Sequence, residues 1–95
     1  MLVKILSILP MVERQYTDRM DGQVKVFKVK GYIVHNGEGT IYVEAVQEMA
    51  ELMEKTPIQP NDCAFMSLTS VARKYQSNGT ERYSNEFQVK SFFML

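Results

Sequence analysis

Residues 40–55, TIYVEAVQEMAELMEK, decide the fold. Over Thr40–Val43 the apolar side chains alternate, Ile41 and Val43 on one side and Tyr42 on the other, which is the two-residue period of a strand. The period then changes. Val46, Met49, Ala50 and Met53 fall at i, i+3, i+4 and i+7, one face of an amphipathic helix, while Glu44, Glu48, Glu51 and Glu54 take the other sides. Thr56-Pro57 and Pro60 stop the helix, because proline has no N–H to donate and restricts the residue before it.

On either side of this segment the chain reads as strand. Leu2–Leu9 is apolar and β-branched, and Pro10 ends it or marks a bulge. The turn-rich residues Thr17–Gly22 lead into a long strand, Val24–Val34, in which Gly31 predicts a bend. Asn36-Gly37 is a hairpin signal. Beyond the helix, Ala64–Tyr75 and Glu81–Leu95 read as two further strands around Asn78-Gly79. The order is strand, strand, strand, helix, strand, strand. Five antiparallel strands cannot leave an apolar face open to water. The reading is therefore all-β: a five-stranded Greek-key barrel of the OB type, with one helix between strands three and four plugging an end. An open α+β sheet with the helix on one face is the alternative.

Ninety-five residues make a single domain, residues 1–95, and 45% hydrophobic content is enough for a packed core. The single cysteine, Cys63, excludes a disulfide framework and fits a reducing, cytoplasmic setting. At the start of a strand it reads as a small hydrophobe. With His35 the only histidine, a zinc site of the usual His/Cys type is excluded within one chain. No Gly-rich phosphate cradle is present, and the helical glutamates read as a solvated face. No enzyme, cofactor or metal is expected. The first twelve residues lack a cleavage site, and no apolar run approaches the length of a membrane span.

Net charge is zero, but it is unevenly spread. Five basic and two acidic residues lie between Arg14 and His35, and four basic and two acidic from Arg73 onward. Six acidic residues and only Lys55 lie between Glu38 and Asp62, so one layer of the fold is expected to be basic and another acidic.

A two-residue Asn78-Gly79 loop fixes the last hairpin, with Tyr75 opposite Arg82, Lys74 opposite Tyr83 and Arg73 opposite Ser84. One face then holds Met66, Leu68, Ala72, Phe87, Val89 and Phe93, the expected core, and the other holds Arg73, Tyr75, Arg82, Ser84, Glu86 and Gln88. In the second strand Phe27, Val29 and Ile33 are assigned inward and Lys28, Lys30 and Tyr32 outward; in the third, Tyr42 is outward. Tyrosines alternating with lysines and arginines suit single-stranded nucleic acid, whose bases stack on aromatic faces while cations track phosphates. The wet face of any antiparallel sheet shows some of this mixture.

The last segment, ARKYQSNGTERYSNEFQVKSFFML, resembles the C-terminal hairpin of bacterial single-stranded-DNA-binding proteins. Arg73, Lys74, Tyr75, Gly79, Arg82, Tyr83 and Glu86 fall on that family's pattern, and MAELMEK is similar to its helix. The resemblance implies an OB-fold, single-stranded DNA as partner, and assembly into dimers or tetramers, here through a free edge of the first strand or of the second–third ribbon. It places Tyr75 at a base-stacking position and Tyr42 near another. The chain has no tryptophan, lacks the family's Lys-Gly approach before the fourth strand, and ends at SFFML without an acidic tail, so a minimal or primosomal-type relative is expected. The expected site comprises Lys28, Lys30, Tyr32, Tyr42, Arg73, Lys74, Tyr75, Arg82 and Tyr83. An OB-type protein-interaction module without DNA affinity is the alternative function.

Overall fold

Pro10 divides the first strand in two, and both pieces pair with the same neighbour. The computed structural model, which describes residues 1–95, contains β1 (Leu2–Ile8), β2 (Val12–Thr17), β3 (Val24–His35), β4 (Thr40–Val46), α1 (Glu48–Lys55), β5 (Cys63–Ser77) and β6 (Thr80–Met94). β1 runs against the second half of β3, with Lys4 opposite His35 and Ile8 opposite Tyr32, while β2 covers the first half, from Val12 opposite Val29 to Thr17 opposite Val24. The sequence leaves β2 unassigned because every one of its residues is exposed, so no buried period marks it.

The sheet order is β1-β5-β6-β4-β3-β2, and the β1–β3 pairing closes it. β4 and β6 meet as parallel strands, Val43 beside Phe87 and Glu44 beside Gln88, because the connection through α1 and β5 returns the chain in the same direction. This is the Greek-key barrel of the OB-fold, and the open-sheet alternative does not occur. No helix is long and apolar enough to cross a membrane.

The core comprises Val3 and Ile5 of β1, Tyr32 and Val34 of β3, Val43 and Ala45 of β4, Ala64 and Met66 of β5, and Val89 of β6. Ala50 and Met53 of α1 close one end, with Met49 partly buried beside them. Two ion pairs fasten the helix: Lys28 Nζ donates to Glu51 Oε1 at 2.8 Å, and Lys30 Nζ pairs with Glu54. The hydrogen bond to Glu51 holds the Lys28 ammonium above its ordinary pKa and the Glu51 carboxyl below its own. The basic strand and the acidic helix are thus neighbours that neutralise each other, not separate charged layers.

Three face assignments change. On β3 the inward parity is that of Tyr32 and Val34; Tyr32 is 0% exposed, and Lys28 and Lys30, on the same parity, reach the helix at the barrel's end. Phe93 points outward because a bulge in β6 sets Ser67 opposite Ser91 but Leu68 opposite Val89, so the extra residue, Lys90, reverses the alternation. Phe92 and Met94 pack inward instead. Ala72 is exposed because it lies where the β5–β6 hairpin has left the barrel, and Cys63 is exposed too.

Turn chemistry accounts for the hairpins. Asn78 (φ 52°) and Gly79 (φ 77°) are both left-handed, and Ser77 pairs with Thr80, so the two-residue loop and its register stand as expected. The Asn36-Gly37 loop is longer: His35 pairs with Thr40, and Asn36 Oδ1 accepts from the N–H groups of Glu38 and Gly39.

The Tyr32 hydroxyl is buried with no hydrogen-bond partner, and burial raises its pKa to about 12. Tyr32→Phe is expected to raise stability by about 1 kcal/mol in urea unfolding at neutral pH, since an unsatisfied buried donor is removed. A raised folded-state pKa means the folded protein binds the proton more tightly than the unfolded chain. Wild-type stability is therefore lost as pH climbs from 10 towards about 12, and the Phe variant should lose less over that window.

Candidate nucleic-acid interface

Alternation on β2, β3 and β4 puts Arg14, Tyr16, Phe27, Gly31, Tyr42 and Glu44 on the outer face of the barrel, with Arg14 opposite Phe27 and Gly31 opposite Glu44. In OB-folds this strand face, with the loops at its ends, is the one that binds oligonucleotides and oligosaccharides. Gly31 is where the Tyr42 ring lies. A β-carbon built there would come within 2.7 Å of Cε2 and 2.9 Å of Cζ, so any larger residue pushes the ring away. The sequence predicts a bend at this glycine; its role is instead to seat an aromatic ring.

The Tyr42 hydroxyl donates to Glu44 Oε2 at 2.9 Å. Arg14 donates to the same carboxylate twice, Nη1 to Oε1 at 3.2 Å and Nη2 to Oε2 at 2.7 Å. Glu44 is nearly buried, so this fork is what permits a carboxylate to sit there. The hydrogen bond to Glu44 raises the Arg14 pKa, and burial followed by the Glu44 hydrogen bond raises that of Tyr42. Tyr42 remains 44% exposed. Farther out, Tyr16 and Phe27 meet edge to face at 5.5 Å.

The second wall is the β5–β6 arm. β5 and β6 are each 15 residues long, and beyond Val71 both faces of their ribbon are exposed. Arg73, Tyr75, Arg82, Ser84 and Glu86 share one face, and Arg73 Nε donates to Glu86 Oε2 at 2.8 Å. That face looks onto the barrel. Asn85, Glu86 and Phe87 enclose a cavity of about 320 Å³ with Arg14, Ile41, Tyr42 and Glu44, and Arg73 lines a neighbouring hollow with Tyr16, Phe27 and Gln47. A groove therefore runs between the arm and the outer strand face.

Of the residues expected at the site, the structure brings Tyr42, Arg73, Tyr75 and Arg82 to this side. Tyr32 is in the core, and Lys28 and Lys30 are held by the helix. Lys74 and Tyr83 occupy the arm's opposite face, with Lys74 Nζ paired to Glu81 at 2.9 Å. Arg14, Tyr16 and Glu44 line the groove without having been expected at the site, as do Phe27, which was assigned inward, and Glu86, which fell on the family pattern but was left out of the expected site. Arg14 and Tyr16 alternate with Glu13 and Gln15 along residues 12–17, a strand signal that contains no apolar run. No three His, Cys, Asp or Glu side chains are grouped as metal ligands would be.

No protein-family model matches the chain, and no curated protein matches it. Among solved structures it is similar to the second OB-fold domain of replication protein A from Methanococcus maripaludis, determined by solution NMR. The TM-score is 0.61 at 16% identity, over 99% of this chain and 79% of that one. At this identity the likeness establishes the OB-fold.

Arg14→Met should destabilise the protein by about 1–2 kcal/mol, because Glu44 loses its forked partner while staying buried. In a double-mutant cycle with Glu44→Gln, urea midpoints should show the pair costing less than the sum of the single changes.

Proposed function

We propose that this protein binds single-stranded DNA without catalysis, in support of replication, recombination or repair. The observation that carries this reading is the Tyr42 ring, seated over Gly31 in a groove whose other wall offers Arg73, Tyr75 and Arg82. Exposed aromatic rings give bases a sequence-tolerant surface, and guanidinium groups at the rim meet phosphates. Arg82 has no carboxylate partner, and the Arg73–Glu86 pair is exposed enough to exchange for a phosphate at little cost. The similar archaeal domain belongs to a replication protein, which supports the same reading. So does the resemblance of residues 72–95 to the bacterial single-stranded-DNA-binding hairpin.

Fluorescence anisotropy with labelled oligo-dT tests it. Binding is expected at low salt, weakening with a log–log slope of only about −1.5 to −2, as for two or three phosphate contacts. Tyr42→Ala and Tyr75→Ala should each cost roughly 1–3 kcal/mol of affinity. Absence of binding at tens of micromolar protein in low salt would refute the proposal.

One observation favours the second reading, a protein-interaction module. Six of the 11 cationic side chains (Arg14, Lys25, Lys28, Lys30, Arg73 and Lys74) are in ion pairs, so the surface offers few unpaired charges to a polyanion. Failure to bind oligo-dT would leave this reading in place.

Self-association belongs to the same proposal. β1 does not offer a wholly free edge, since Lys4 pairs with both His35 and Cys63. Leu2, Phe65 and Phe93 instead form one rung across three strands, all exposed, and a second copy would cover them. Light scattering at high concentration should give a dimer or tetramer, and Phe93→Glu should return it to a monomer. A mass of 11 kDa for the unaltered chain would exclude assembly.

A further inference from the structure

We infer that the cavity beside Tyr42 is a base-reading subsite that selects guanine from a bound strand, an inference that rests on the DNA-binding reading above. The cavity, about 320 Å³, is large enough for a purine and has an exposed aromatic ring in its lining. What distinguishes it is the kind of hydrogen bond left on offer. Both Nη groups of Arg14 are turned onto Glu44, and the Tyr42 hydroxyl donates to Glu44 as well, so neither directs these bonds at a ligand. Glu86 remains. Its Oε2 accepts from Arg73, and its Oε1 has no partner.

The Arg73–Glu86 pair straddles the groove. Glu86 lines the Tyr42 cavity, whereas Arg73 lines the hollow beside Tyr16 and Phe27. A strand laid along the groove offers Arg73 a phosphate in exchange for the carboxylate, and both Glu86 oxygens then face the cavity as acceptors. Guanine alone among the DNA bases carries two adjacent donors, N1–H and the 2-amino group, on its Watson–Crick edge. They match the two oxygens of a carboxylate. Thymine presents one donor between two carbonyls, which a carboxylate repels. Adenine and cytosine each present a single amino group beside an acceptor.

The test uses the full chain and three labelled strands of equal length: all-dT, the same with one central dG, and the same with one central deoxyinosine, which is guanine without the 2-amino group. The dG strand should bind about tenfold tighter than all-dT, and inosine should lose most of that gain. In Glu86→Gln the ratio of dG to all-dT affinity should fall to about one, whatever happens to dT binding itself. If that variant does not fold, the inosine comparison in the unaltered protein decides the matter. Equal affinity for all-dT and dG strands, or for dG and inosine strands, overturns the subsite and leaves DNA binding standing. No binding of any strand overturns the DNA-binding reading and the subsite with it.

Discussion

Closure of the sheet is the constraint on which the rest depends. A strand that must pair with β3 on one side and β5 on the other cannot stay straight, and the chain meets this with a break at Pro10 that sends β1 and β2 along different halves of β3. Once the barrel is closed, its interior is filled by one parity of each strand and its end needs a plug, which α1 supplies through Ala50 and Met53. The outer parity of β2, β3 and β4 is left facing a free-standing arm. The groove thus follows from closure together with two last strands longer than the barrel requires.

Charge in this protein is largely spent on its own architecture. Lys28 and Lys30 hold the helix, Lys25 spans Asp18 and Asp21 in the β2–β3 loop, and Arg14 makes burial of Glu44 tolerable. A linear count of basic residues in residues 14–35 therefore overstates what is available to a ligand. The groove relies on aromatic surface, with a few guanidinium groups at its rim, and this is why a chain of zero net charge remains compatible with single-stranded DNA.

Apart from β2, the element order and the helix were legible in the sequence because the period changes within residues 40–55, although Glu44 and Val46, read with the helix, continue β4; Asn78-Gly79 gave the arm's register because both residues tolerate positive φ. Tyr42 was legible by simple alternation. Tyr32 was misassigned although the sequence held the answer. In β3 apolar residues occupy both parities from Val29 to Val34, so alternation alone does not decide. Either a two-residue or a four-residue loop after His35, however, sets Tyr32 on the same side as Ile41 and Val43. The Lys90 bulge has no comparable signature, and Phe93 was lost with it. β2 was missed because a strand exposed on both faces has no hydrophobic rhythm to read.

That bulge also separates two ways in which the chain can change length. Between Val71 and Asn85 the arm touches no core, so residues added or lost in matched pairs about the Asn78-Gly79 turn would alter how far it reaches and leave the core packing unchanged. Past Val89 the phase is set by the bulge: pairing that ran residue for residue through Lys90 would turn Phe92 and Met94 out to water and bring Phe93 in. One strand thus carries a segment free to lengthen and a segment that cannot, joined at Lys90. The reach of the arm can then drift while the barrel stays the same.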